Sequence, residues 1–247
     1  MIHSFLLIGQ SNMAGRGYPG EVEPIVNDKI LLFRNGLWRG MYVPFNPDRS
    51  TAGTCLAESF VDLYSRERNV DVGVIPCADG GTCIDQWEVG GPLFDHALYM
   101  AELAKRTSTI AGVLWHQGES DCRDDLYLTY ENKLAVIMKA FRDKLNLHDV
   151  PFLLGGLGDY LIENEWCGGD SYLKINSALE NYANKNPMTA FVSAKGLTSN
   201  PDKLHFNSKS LREFGVRYYN EFVKLENKNK IFDIKLSGHS MTEIEKL

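Results

Sequence analysis

Four short polar clusters interrupt the apolar pattern of this chain, and between them they hold the parts of a nucleophilic displacement. The chain begins MIHSFLLIGQSNMAGRG, an apolar run that ends at once in Ser11, Asn12 and a set of glycines. A serine there can be a nucleophile if a base takes its proton and amide donors meet the charge that develops on the attacked oxygen. His205 can be that base, and Asp202, three residues earlier, can be turned onto the imidazole to fix its tautomer. Donors can come from the backbone of Gly81 in CADGGTCIDQW, from the side chain of Gln117 in WHQGESD, and from the Ser11 N–H itself. Each residue has a plainer role when taken alone. Ser11 can be a helix cap, the glycine pair a tight turn, Gln117 a strand-end hydrogen bond, and His205 a surface histidine before a cap.

These clusters need elements that bring them together. Strand-like runs read at Ile2–Ile8, Val70–Pro76, Ile110–Trp115, Phe152–Leu154 and Thr189–Ser193, all short and apolar as buried parallel strands tend to be. Helical patterns lie between them. One is capped by Thr54, one opens at Pro92, one runs from Asp124 to Leu145, one starts at Asp170 or Ser171, and one starts at Ser208. The alternation predicts an α/β domain with a parallel sheet covered on both faces, in which ligands bind beyond the carboxyl ends of the strands. Three of the clusters follow predicted strands, and the fourth precedes the last helix. Residues 20–53 read as a long irregular segment that has a function or carries small extra strands. The run from Ile231 to Leu247 is compatible with a late edge strand.

Composition narrows the class. The 247 residues carry a net charge of −6 and show no repeat or linker, so a single domain over residues 1–247 is expected. That charge argues against general nucleic-acid binding. No apolar run is long enough to span a bilayer, so no membrane partner is expected. The start shows no basic stretch or cleavage site. The five cysteines, Cys55, Cys77, Cys83, Cys122 and Cys167, form no CxxC pair. Free thiols in a reducing, cytoplasmic compartment are the expectation.

The motifs GQSNMAGRG (residues 9–17), GGTCIDQW (80–87), WHQGESD (115–121) and DKLH (202–205) resemble the blocks of the SGNH hydrolase superfamily. The similarity is strongest to its carbohydrate esterase branch, which includes acetylxylan esterases and sialate O-acetylesterase-like proteins. The blocks keep the family order and span most of the chain. The resemblance implies a flavodoxin-like three-layer α/β/α sandwich. It also implies a serine esterase that removes acetyl groups from saccharides through an acyl-enzyme, without a cofactor. Ser11 would be the nucleophile and His205 the base. The oxyanion hole would be formed by the Ser11 and Gly81 amides and Gln117, which stands where the superfamily name calls for Asn. Either Asp202 or Glu119 would orient the base. The expected partner is a small acetylated saccharide.

Three rival readings are separable. His116, Glu119, Asp121 and Cys122 could form a metal site. The fold could serve a non-catalytic carbohydrate-binding protein. A lipid or thioester could replace the sugar, although Trp38, Tyr42, Trp87, Tyr160 and Trp166 offer rings that can stack on saccharides.

Overall fold

β1 (Ile2–Gly9) is fully buried through its second half, because consecutive side chains feed two different cores. Phe5 and Leu7 point into one apolar cluster, Leu6 and Ile8 into another. The computed structural model describes the backbone of residues 1–236 and the side chains through residue 228. β1 is followed by a single helical turn, α1 (Ser11–Ala14), and by a hairpin of β2 (Ile30–Arg34) and β3 (Leu37–Gly40). Then come α2 (Leu56–Arg68), β4 (Val72–Pro76), α3 (Pro92–Lys105), β5 (Ser108–His116) and α4 (Tyr130–Leu145). β6 (Phe152–Gly155), α5 (Ser171–Lys185), β7 (Thr189–Val192) and α6 (Ser208–Leu236) complete the described chain.

The strands form one seven-stranded sheet in the order β3-β2-β4-β1-β5-β6-β7, parallel except for β3. On one face, Phe60 and Tyr64 of α2 and Phe214, Tyr218 and Phe222 of α6 pack on Phe5, Val74, Leu114 and Leu153. On the other, Phe94 of α3, Phe141 of α4 and Ile175 of α5 pack on Leu6, Val113, Trp115 and Leu154. The result is the expected three-layer α/β/α sandwich. β1 lies between β4 and β5, where the chain leaves one half of the sheet and starts the other. A ligand crevice opens at such a reversal, and Ser11 stands there.

The boundaries differ from the sequence reading where local chemistry intervenes. The long helix starts at Tyr130, not Asp124, because Asp124 and Asp125 sit at φ +55° and +56° and a 3-10 turn over Leu126–Thr129 precedes it. α2 is capped at Cys55, whose N–H donates to the Glu58 carboxylate at 2.8 Å, not at Thr54. The irregular segment contains the β2–β3 hairpin. Its turn, Asn35–Gly36, has positive φ at both residues, as the common type of two-residue hairpin turn requires. Residues 231–236 continue α6, so no strand forms there, and the remainder of the 231–247 segment lies outside the described residues.

Candidate active site

The end of β1 and the loop before α6 meet at one point. His205 Nε2 lies 3.0 Å from Ser11 Oγ, and His205 Nδ1 lies 2.7 Å from Asp202 Oδ2. The loop that carries the pair is closed at its base, where Ser199 bridges Phe206 and Asn200 N–H donates to the His205 carbonyl at 2.7 Å. Asp202 Oδ1 accepts the backbone N–H groups of Leu204 and His205 at 2.9 and 3.0 Å. Burial pushes the Asp202 carboxyl up. The hydrogen bonds from His205, backbone and ring, and from the Leu204 amide outweigh it and hold the group below the usual carboxylate range.

The glycine loop reaches this point because the pairing of β4 with β1 continues past the strands. Cys77 N–H donates to the Leu7 carbonyl and Asp79 N–H to the Gly9 carbonyl, at 2.9 and 3.0 Å. Gly80 is then wedged against the nucleophile, with a Cβ on it falling 3.4 Å from Ser11 Cβ. Gly81 follows at φ +80°, exposed, with open space where a Cβ would be. Among the described residues, neither the Ser11 nor the Gly81 N–H has a hydrogen-bond acceptor. Both are free to meet a developing oxyanion.

Gln117 does not join them. Its side chain is fully buried, and Nε2 donates to Asp121 Oδ2, to the Thr82 carbonyl at 2.9 Å and toward Gln10 Oε1 at 3.2 Å. An amide nitrogen has two hydrogens, and protein acceptors already claim them. The expected donor is thus buried and occupied by protein acceptors beside the glycine loop.

Glu119 is also turned inward, 1% exposed, with Oε1 on His116 Nε2 at 3.1 Å and on Asn12 Nδ2. Burial pushes its carboxyl up, but His116 and the hydrogen bonds from His116 and Asn12 pull it below the ordinary value. Of the two candidate acids, the structure brings Asp202 to His205 and leaves Glu119 one residue removed. The intermediary is Asn12. Its Nδ2 also reaches the Leu204 carbonyl at 3.2 Å, and its Oδ1 accepts the Phe206 N–H at 3.1 Å. Asn12 thus grips the backbone on both sides of His205. Sequence reasoning misses this role, although the Asn lies inside the GQSN motif.

The metal rival loses its geometry. His116 and Glu119 bond to each other, Asp121 accepts the Ile84 N–H and Gln117, and Cys122 Sγ donates to the Gly118 carbonyl at 3.5 Å. Among the described residues no three such groups converge. Several aromatic rings are also spent elsewhere. Trp87 is fully buried on Trp115, Tyr160 packs edge-on against Phe206, and Trp38 rests on Phe33. Tyr42 and Trp166 are partly exposed, and Arg123 stacks on Trp166 at 4.4 Å.

Comparison with known proteins adds an independent line. A family model described as carbohydrate esterase, sialic acid-specific acetylesterase, matches residues 1–224. A protein of Arabidopsis thaliana, named a probable carbohydrate esterase, is 30% identical over 239 residues, covering 86% of each chain. A solved structure of an Arabidopsis thaliana protein superposes with a TM-score of 0.81 at 26% identity, covering 90% of this chain and 98% of that one. The crystal structure of NanS gives 0.70 at 18% identity, over 92% of this chain and 98% of NanS. A carbohydrate acetylesterase from Xanthomonas citri gives 0.66 at 18% identity, over 88% of this chain and 55% of that one. The last two likenesses bear on the fold alone.

Proposed function

This chain belongs to the sialic acid-specific acetylesterase family of carbohydrate esterases, and from that premise we propose that it removes O-acetyl groups from small saccharides through an acetyl-serine intermediate. The observation that carries the reading is the unbroken line from Asp202 through His205 to Ser11, at 2.7 and 3.0 Å. Ser11 Oγ attacks the acetyl carbonyl while His205 Nε2 takes its proton. Asp202 balances the imidazolium at Nδ1 without being protonated. The carbonyl oxygen becomes an oxyanion between the Ser11 and Gly81 N–H groups. Collapse breaks the C–O bond to the sugar, and His205 returns its proton to the departing hydroxyl. Water, deprotonated by His205, then attacks acetyl-Ser11, the acyl bond to Ser11 Oγ breaks as His205 returns the proton to that oxygen, and acetate leaves.

On the same reading the protein works in the cytoplasm, which is supported by Cys55, Cys77, Cys83, Cys122 and Cys167 all being free thiols. Among the described residues no helix is long and apolar enough to cross a membrane.

The test is chemical trapping. A rapidly quenched reaction on an acetylated saccharide should leave one acetyl group on Ser11, found by peptide mass spectrometry. Ser11→Ala should fold and show neither adduct nor turnover. Turnover by that variant above about a thousandth of wild type sinks the covalent mechanism, because the oxyanion site alone rarely supports more.

A further inference from the structure

Behind the glycine loop lies an ion pair that the reaction does not touch. Arg16 and Asp48 are joined fork to fork, Nη1 to Oδ1 at 3.0 Å and Nη2 to Oδ2 at 2.7 Å. Both side chains are buried, at 7% and 4% exposure. A buried pair of this kind contributes little net stability, because desolvating two charges offsets most of their attraction. Its position gives it a different use.

Asp48 Oδ2 has a second donor, the backbone N–H of Gly80, at 2.8 Å. Gly80 fills the gap between this pair and the nucleophile. A Cβ there would collide with Arg16 Nη2, stand 2.9 Å from Asp48 Oδ2 and touch Ser11 Cβ. The neighbours of Asp48 extend the hold. Asn46 pairs its amide with both the N–H and the carbonyl of Ala78, each at 2.9 Å. Arg49 bonds Asp79 at 2.8 Å and reaches the Gly80 carbonyl at 3.2 Å. Residues 46–49 therefore grip residues 78–80 one after another. Arg16 ties this strap to the rest of the site. It follows α1 in the chain, and its carbonyl accepts Asn200 Nδ2 at 2.9 Å in the loop that carries His205.

We propose that the Arg16–Asp48 pair is a positioning device for the oxyanion-binding peptide, fixing Gly80 N–H on Asp48 so that the next N–H, at Gly81, is held facing the Ser11 side. This rests on the serine esterase reading above. A preorganised donor stabilises charge without moving at the moment of reaction, and a misplacement of about 1 Å can lower the rate by about a hundredfold. The fork geometry matters as much as the charge, since a lysine cannot reproduce two parallel hydrogen bonds. The pair touches no substrate atom, so its loss should fall on kcat and leave KM near wild type.

The experiment measures kcat and KM on 4-nitrophenyl acetate for Asp48→Asn, Arg16→Lys and the double variant, with thermal melts to establish folding. Each single variant should lose at least tenfold in kcat, with KM within about threefold. The double variant should lose no more than the worse single one, because the two residues act as a unit. Arg49→Ala, at a half-exposed position that does not threaten the core, should lose about threefold or more in kcat. Wild-type kcat in folded Arg16→Lys and in Arg49→Ala would reduce the strap to a structural tie. A raised KM at unchanged kcat would make it a substrate contact, and either result overturns the proposal. Ser11→Ala in the same series separates the two ideas. If it keeps turnover, the serine mechanism fails. If it is inactive while the other variants keep wild-type kcat, the positioning role alone fails.

Discussion

Asp202 uses its two carboxylate oxygens for different tasks. Oδ1 holds the turn by accepting the Leu204 and His205 N–H groups, while Oδ2 faces the imidazole. An asparagine cannot do both, since one of its two positions becomes a donor facing another donor. In a serine protease triad, the same substitution lowers kcat about ten-thousandfold by favouring the wrong tautomer. Asp202→Asn should show a loss of that order on an acetyl ester. Glu119→Gln keeps an acceptor for Asn12 and never contacts His205, so its loss should stay within about tenfold, the worth of one weakened hydrogen bond. Steady-state kcat for both variants, with folding checked by circular dichroism, decides the matter. If Glu119→Gln proves the more severe, the orienting role passes to Glu119.

Elements are held in place by a few side chains that satisfy backbone groups at their ends. Arg142, 9% exposed near the end of α4, shows this at the end of the strands opposite to the one that Ser11 follows. Its guanidinium donates to the carbonyls of Leu147, Val150 and Met188 at 2.8 to 2.9 Å and to Thr189 Oγ1 at 3.0 Å. It also lies 3.8 Å over the Phe152 ring. It thereby fastens α4 to the starts of β6 and β7. Burial lowers its pKa from the ordinary arginine value. Arg142→Met keeps the apolar stem but strips every donor from buried acceptors, and should cost about 3 kcal/mol or more. Urea unfolding should show the loss as a lower midpoint. The kcat of the folded variant should be unchanged, since no catalytic group is near.

Across the whole molecule, carboxylates with displaced pKa values pull the pH dependence of stability in two directions. Burial raises Asp121 to about 6, against the opposing hydrogen bonds from Gln117 and the Ile84 amide. Glu58 is also raised, chiefly by burial and in spite of Arg212. A raised carboxyl contributes stability that is full below its unfolded value and is lost as pH rises through the folded one. Glu119 and Asp202 are lowered, so theirs is present above the unfolded value and lost as pH falls through the folded one. The melting temperature should therefore decline as pH rises from about 4 to about 6, between the unfolded and the folded value of Asp121, and also fall on acidification below about 4. Thermal melts across this range test the shape. Asp121→Asn should flatten the upper slope, and an unchanged slope would remove Asp121 from the account.

The residues proposed for the reaction, Ser11, Gly81, Asp202 and His205, can be picked out in the sequence because each stands at a strand end or just before a cap, where local pattern alone marks a break. The layers are legible for a similar reason. Alternation in Phe5–Ile8 and helical spacing in α2 to α6 depend on neighbours a few residues away. The Asn35–Gly36 turn carries a readable signal too, although the hairpin around it is too short to stand out. Gln117 misleads because its motif gives a position and no direction. Whether its amide faces Ser11 or Asp121 depends on which groups cover it after folding, and Thr82 and Gln10 are supplied from 35 and 107 residues away. Asp48 is invisible in the sequence for the same physical reason. It lies in an aperiodic segment, 32 residues from both Arg16 and Gly80. A lone aspartate on a loop ordinarily faces water, and only the desolvation of Arg16 and the approach of a residue without a Cβ give this one its partners.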